Sequence, residues 1–177
     1  MNKFLWMSIV LGLLGRVSFA EESKPVEFGK EAKHALALPE SWKATVPETG
    51  MRQLEVVVPK QGDDKEDAEI TVFMFPSGGG FAGNLARWKK QFGGEESLKV
   101  KRKLKTASGV DADIAELEGT YKGMSRDGAT LDAKDNYKML GAVIVTEGGE
   151  FYIKLTGPKA TVDASKAAFD KAIESFK

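Results

Sequence analysis

Residues 69–92 constrain this chain more than any other stretch. Glu69 to Phe75 is strand-like and apolar on both faces, Gly78-Gly79-Gly80 follows, and Phe81 to Phe92 has helical spacing. Phe81, Leu85, Trp88 and Phe92 recur at i, i+4, i+7 and i+11, which makes one apolar stripe. Gly93-Gly94 stops the helix, as glycine does just past a C-terminus. A strand doubly covered, a glycine loop and an amphipathic helix imply a layered domain with a helix lying on a sheet.

The glycines also fit a more specific pattern, because Gly78-Gly79-Gly80-Phe81-Ala82-Gly83 matches G-x-G-x-x-G. A dinucleotide site needs a βαβ unit around that turn and an acid about 20 residues further on to hold the ribose. Residues 98–106 supply Lys99, Lys101, Arg102, Lys103 and Lys105 and no acid. The strand there turns straight into a hairpin, and Pro76 interrupts the join between strand and glycines. The expectation is a flexible loop with no cofactor. A P-loop is excluded because no Gly-Lys-Ser/Thr follows. Helix-start amides near Phe81–Asn84 could still hold an anion.

The rest of the chain reads as hairpins. Met51 to Val58 is a strand with Leu54, Val56 and Val58 on one face, ended by Pro59. Leu98–Thr106 and Val110–Tyr121 flank Ala107-Ser108-Gly109, a three-residue turn with Gly109 at the left-handed position. That pairing sets Lys105 opposite Asp111 and Lys103 opposite Asp113, so the lysine-rich face is partly neutralised within the protein and reads as a solvated charged hairpin, with a site for an anionic surface as the alternative. Tyr137 to Thr146 is a nearly unbroken apolar run, as in a central strand. After the turn at 147–150, Phe151, Ile153 and Leu155 alternate with Tyr152 and Lys154. Gly157-Pro158 opens a terminal helix with Val162, Phe169, Ile173 and Phe176 along one side. The fold class expected is α+β, a single antiparallel sheet of about six strands flanked by helices.

Residues 1–20 read as an export signal: a basic start at Lys3, an apolar run from Phe4 to Gly15, and Ser18-Phe19-Ala20 as a small-x-small cleavage site. The run is short of the ~20 apolar residues of a membrane span. Residues 21–34 read as a polar lead-in arm and 35–177 as one domain. Cleavage near Ala20 leaves 24 basic against 26 acidic residues, so nothing points to nucleic acid. Zero cysteines exclude thiolate nucleophiles and thiolate metal sites. The acidic loop 61–67 has Lys65 where a calcium loop needs a ligand, and is expected to be solvated. His34, the single histidine, is expected on the surface, and Ser77 lacks the glycine two residues before it that a nucleophile elbow has. No catalytic, cofactor or metal residue is assigned.

Several features together resemble the fold shared by PsbP and the Ran-binding Mog proteins, and more closely bacterial exported proteins of an uncharacterised branch of it. They are Leu38-Pro39-x-x-Trp42-Lys43, the Met51-Arg52 strand, and Asn84-x-x-Arg87-Trp88-x-x-Gln91-Phe92 in the helix. Tyr137 to Val145 and Phe151 to Pro158 complete the pattern. The resemblance implies an antiparallel sheet between helices in an α/β/α sandwich, acting as a protein-binding module without catalysis. The expected function is therefore an exported, non-catalytic binding module for an envelope protein. Asn84, Arg87 and Gln91, at i, i+3 and i+7 on one flank of the helix, are the candidate contact residues. The alternative is a small-molecule or lipid carrier, or a weak hydrolase, with a pocket between sheet and helix.

Overall fold

The computed structural model describes residues 21–48, 51–123 and 132–177. The expected export segment, 1–20, lies outside the described residues. Nine strands and two α-helices follow in chain order: β1 (Ser23–Phe28), β2 (His34–Pro39), β3 (Lys43–Thr45), β4 (Arg52–Val58), β5 (Ala68–Phe75), α1 (Gly80–Gln91), β6 (Leu98–Lys105), β7 (Asp111–Tyr121), β8 (Lys134–Thr146), β9 (Gly149–Pro158) and α2 (Lys159–Glu174).

Seven strands form one antiparallel sheet in the order β3-β4-β5-β9-β8-β7-β6, and β1-β2 form a separate hairpin. The expectation of about six strands is corrected in two places. Lys43–Thr45 adds a short edge strand against β4. The lead-in arm carries β1, paired with β2 from Ser23↔Pro39 to Phe28↔His34. Its alternation was hard to see because only Phe28 is fully buried and Val26 partly so, while Ser23, Lys24 and Pro25 face solvent.

Strand parity divides the core between the two faces of the sheet. Phe151, Ile153 and Leu155 of β9 join Leu54, Val56, Ile70, Val72, Leu140 and Ile144 under α2, whose Val162, Phe169 and Ile173 are fully buried. Phe28, Leu36 and Leu38 of the hairpin close the same cluster. Tyr152, Met139, Val143, Ala115 and Leu117 point the other way and meet Leu85, Trp88 and Phe92 of α1. Gly141 is where α1 sits down: a Cβ there would lie 2.4 Å from Trp88 Cζ3.

The charged hairpin has the expected register, Lys103↔Asp113 and Lys105↔Asp111, with salt bridges of 3.2 and 2.5 Å. Gly109 turns at φ +80°. The acidic loop is not merely solvated. Asp64 Oδ2 accepts from the Thr161 backbone N–H at 2.7 Å and from its hydroxyl at 2.6 Å, which satisfies one of the free amides at the start of α2. Glu66 accepts from the Tyr137 hydroxyl at 2.9 Å and pairs with Lys134. His34 also departs from expectation. It is half-buried, stacked on Phe176 at 5.6 Å and edge-on to Phe151 at 4.5 Å, because β2 carries it into the α2-side aromatic cluster.

Candidate functional site

The site grows from the way the glycine loop is fastened. Gly79 and Gly80 take left-handed φ values of +87° and +58°. Gly80 N–H then donates to Glu150 Oε2 at 2.9 Å, and the Tyr152 hydroxyl donates to the same carboxylate. The Tyr152 hydroxyl, the Gly80 amide and Gly78 together hold the Glu150 carboxyl below the usual carboxylate range. The helix start is thus served by the protein's own anion. Gly78 is required for close approach, since a Cβ would stand 2.1 Å from Tyr152 Oη. Gly78 is thus fixed by packing, and the Gly80 amide is engaged by Glu150.

Asn84 is buried inside that loop. Its Nδ2 donates to the Gly80 carbonyl at 2.8 Å and to that of Gly78 at 3.4 Å. Its Oδ1 accepts from Arg87 Nη2 at 2.6 Å, and the same Nη2 reaches the Gly78 carbonyl at 3.2 Å. Asn84 is therefore mainly a fastener, while Arg87 is exposed at the rim. Gln91, one turn on, is different: its Oε1 is buried and accepts no hydrogen bond.

These three side chains line one cleft of about 420 Å³ between α1 and the sheet. The cleft exists because α1 packs chiefly on β7 and β8, so that Phe73 and Phe75 of β5 and Lys154 of β9 are only partly covered on the same face. Phe73 and Phe75 of β5, parallel at 6.4 Å, form its wall with Trp88 and Tyr152. Ser77 lies at the edge, but the histidine that could activate it is in the aromatic cluster on the other side of the sheet.

Lys154 is the group that the sequence reading passed over. It follows Tyr152 by two residues on β9, so it points into the cleft, where its ammonium stands 5.5 Å from the Phe73 ring centroid. Among the described residues no carboxylate or carbonyl lies within bonding distance of it. Arg52, 5.7 Å from the same ring, is by contrast paired with Glu55 and Glu69. Burial, and then the positive charge of Arg52, press the Lys154 amine below the usual lysine range, with Glu69 acting weakly the other way. The signal was present in the sequence: a lysine on the inward face of an inner strand has to be accounted for.

Among the described residues no group of three or more His, Asp or Glu side chains is placed to hold a metal ion. No helix among them is long and apolar enough to cross a membrane.

No protein-family model matches this chain, and no curated protein is similar to it at a significant level. Solved structures are. The solution structure of cyanobacterial PsbP from Synechocystis superposes with a TM-score of 0.54 at 14% identity, covering 94% of this chain and 98% of that one. A weaker similarity, TM-score 0.47 at 17% identity over 86% of this chain and 94% of the other, is to a protein of unknown function from Pseudomonas aeruginosa. Identity this low speaks to architecture alone. With a helix on each face of one antiparallel sheet and near-complete coverage of its cyanobacterial counterpart, the chain has the PsbP-like fold.

Proposed function

We propose that the protein is an exported, non-catalytic binding module and that it works through the cleft beside α1. One observation carries this reading: among the described residues the Lys154 ammonium and the buried Gln91 Oε1 have no hydrogen-bond or ion-pair partner, and both residues line one aromatic-walled hollow. Buried polar groups are normally satisfied, and those that are not mark places where a partner supplies what is missing. The volume of about 420 Å³ suits a small ligand or a single inserted side chain. This favours ligand capture over the flat docking of an envelope protein. The exposed Arg87 at the rim supports a second reading, in which a segment of such a protein lies across the cleft mouth.

A thermal-shift screen of a mixed metabolite library tests the proposal, run in parallel on the wild type and on Gln91→Trp, which fills the hollow. Compounds that raise the melting temperature of the wild type should lose most of that effect on the variant. A screen with no stabilising compound, or hits of equal size on both proteins, would overturn the reading.

A further inference from the structure

From the cleft's unpaired groups we infer the chemical class of its ligand: a small organic acid with a flat apolar body and a hydrogen-bond donor. This rests on the reading that the cleft is the binding site. Each part of the ligand answers a feature of the pocket. The carboxylate answers Lys154, whose ammonium has only the face of Phe73 beside it among the described residues. A cation held over a ring is attracted to its negative face but keeps unused N–H donors. The flat body answers the half-buried Phe73 and Phe75, whose parallel rings and the neighbouring Tyr152 offer stacking surface beside the indole of Trp88. The donor answers Gln91 Oε1.

The charge balance of the surroundings sets the sign. Arg87 sits at the rim with only one of its terminal nitrogens engaged. Glu150, beside the cleft, accepts from Gly80 and Tyr152, and Glu69 is the carboxylate whose charge acts on Lys154. Glu55 and Glu69 bind Arg52. Among the described residues neither Lys154 nor Arg87 has a carboxylate within bonding distance, so an anionic ligand finds two cations of the cleft lining open to it. Because burial and Arg52 disfavour the charged amine, an anion seated against Lys154 would restore its ordinary protonation.

The test compares N-acetylphenylalanine with its neutral amide, N-acetylphenylalaninamide, by isothermal titration calorimetry. The two share ring and N–H and differ in the carboxylate. The acid should bind at least about tenfold more tightly than the amide, the scale of one hydrogen bond to a charged group. Lys154→Met, which keeps the stem and removes the charge, should erase that preference while leaving the weak binding of the amide in place. Circular dichroism of the variant checks that it folds, and the acid–amide comparison on the wild type stands without it. Equal affinity for acid and amide, or an unchanged preference in Lys154→Met, would overturn the assignment of an acid while leaving the cleft as the binding site. Binding of neither compound would overturn it for this class. If the library screen then also finds no ligand, the broader reading fails as well.

Discussion

His34 shows how one residue's surroundings set a property of the whole protein. Its ring lies between Phe176 and Phe151, 6.0 Å from Phe28. Burial lowers its affinity for a proton; a hydrogen bond with the Lys177 backbone opposes this and the Lys33 charge adds to it. The folded state therefore holds the neutral imidazole, while the unfolded chain takes up a proton near the ordinary value of about 6.5. Stability linked to His34 is complete above that pH and is lost as the pH falls below it, down to the lower folded value. Urea denaturation between pH 7.5 and 5 should show this decline in the wild type. His34→Phe, which keeps a ring in the stack, should show a flatter profile over the same range. Parallel profiles would mean that the ring is not held neutral by its neighbours.

At the scale of elements, α2 is held to the sheet by charge as well as by its apolar stripe. Glu116 of β7 is 3% exposed, yet it meets Arg102 of β6, Lys138 of β8 and Lys166 of α2. Lys138 in turn bonds Asp163 of α2 at 2.6 Å and Glu118 at 3.0 Å. Burial alone would push the Glu116 carboxyl up, but Lys166, Lys138 and Arg102 more than reverse it and hold it below the usual range. Removing Glu116 takes its carboxylate from Lys166, which is partly exposed, while Lys138 keeps Asp163 and Glu118 and Arg102 keeps Asp170. Glu116→Gln should cost about 1–2 kcal/mol by urea denaturation, below the range for a fully buried pair because the cations keep other partners. Replacing the central pair together, Glu116→Leu with Lys138→Met, should recover most of that loss. A loss below ~0.5 kcal/mol for the single change would reduce the network to ordinary surface pairs.

At the scale of the whole molecule, what was legible followed from periodicity. The strands at Glu69–Phe75 and Tyr137–Thr146, the amphipathic stripe of α1 and the lysine–aspartate hairpin are all local patterns, and the structure keeps each. Asn84, Arg87 and Gln91 could be placed on one flank for the same reason. Contacts between distant segments were not legible. Nothing near Asp64 announces that it caps a helix beginning at Lys159, and nothing near Gly141 announces that Trp88 lies on it. The polar look of β1 hid a strand that pairs only with β2. Lys154 was overlooked because its strand reads as simple alternation. Its meaning depends on α1 leaving Phe73, Phe75 and Lys154 only partly covered, which is a fact of packing.

That partly covered half-face is the centre of the account. An NMR titration of the labelled protein with N-acetylphenylalanine tests it most directly, with amide shifts followed over the entire chain. The shifts should cluster at Phe73 to Ser77, at Asn84 to Gln91 and at Tyr152 to Lys154, with the Trp88 indole moving alongside. Shifts spread over the α2 face, or gathered there while these segments stay still, would contradict it.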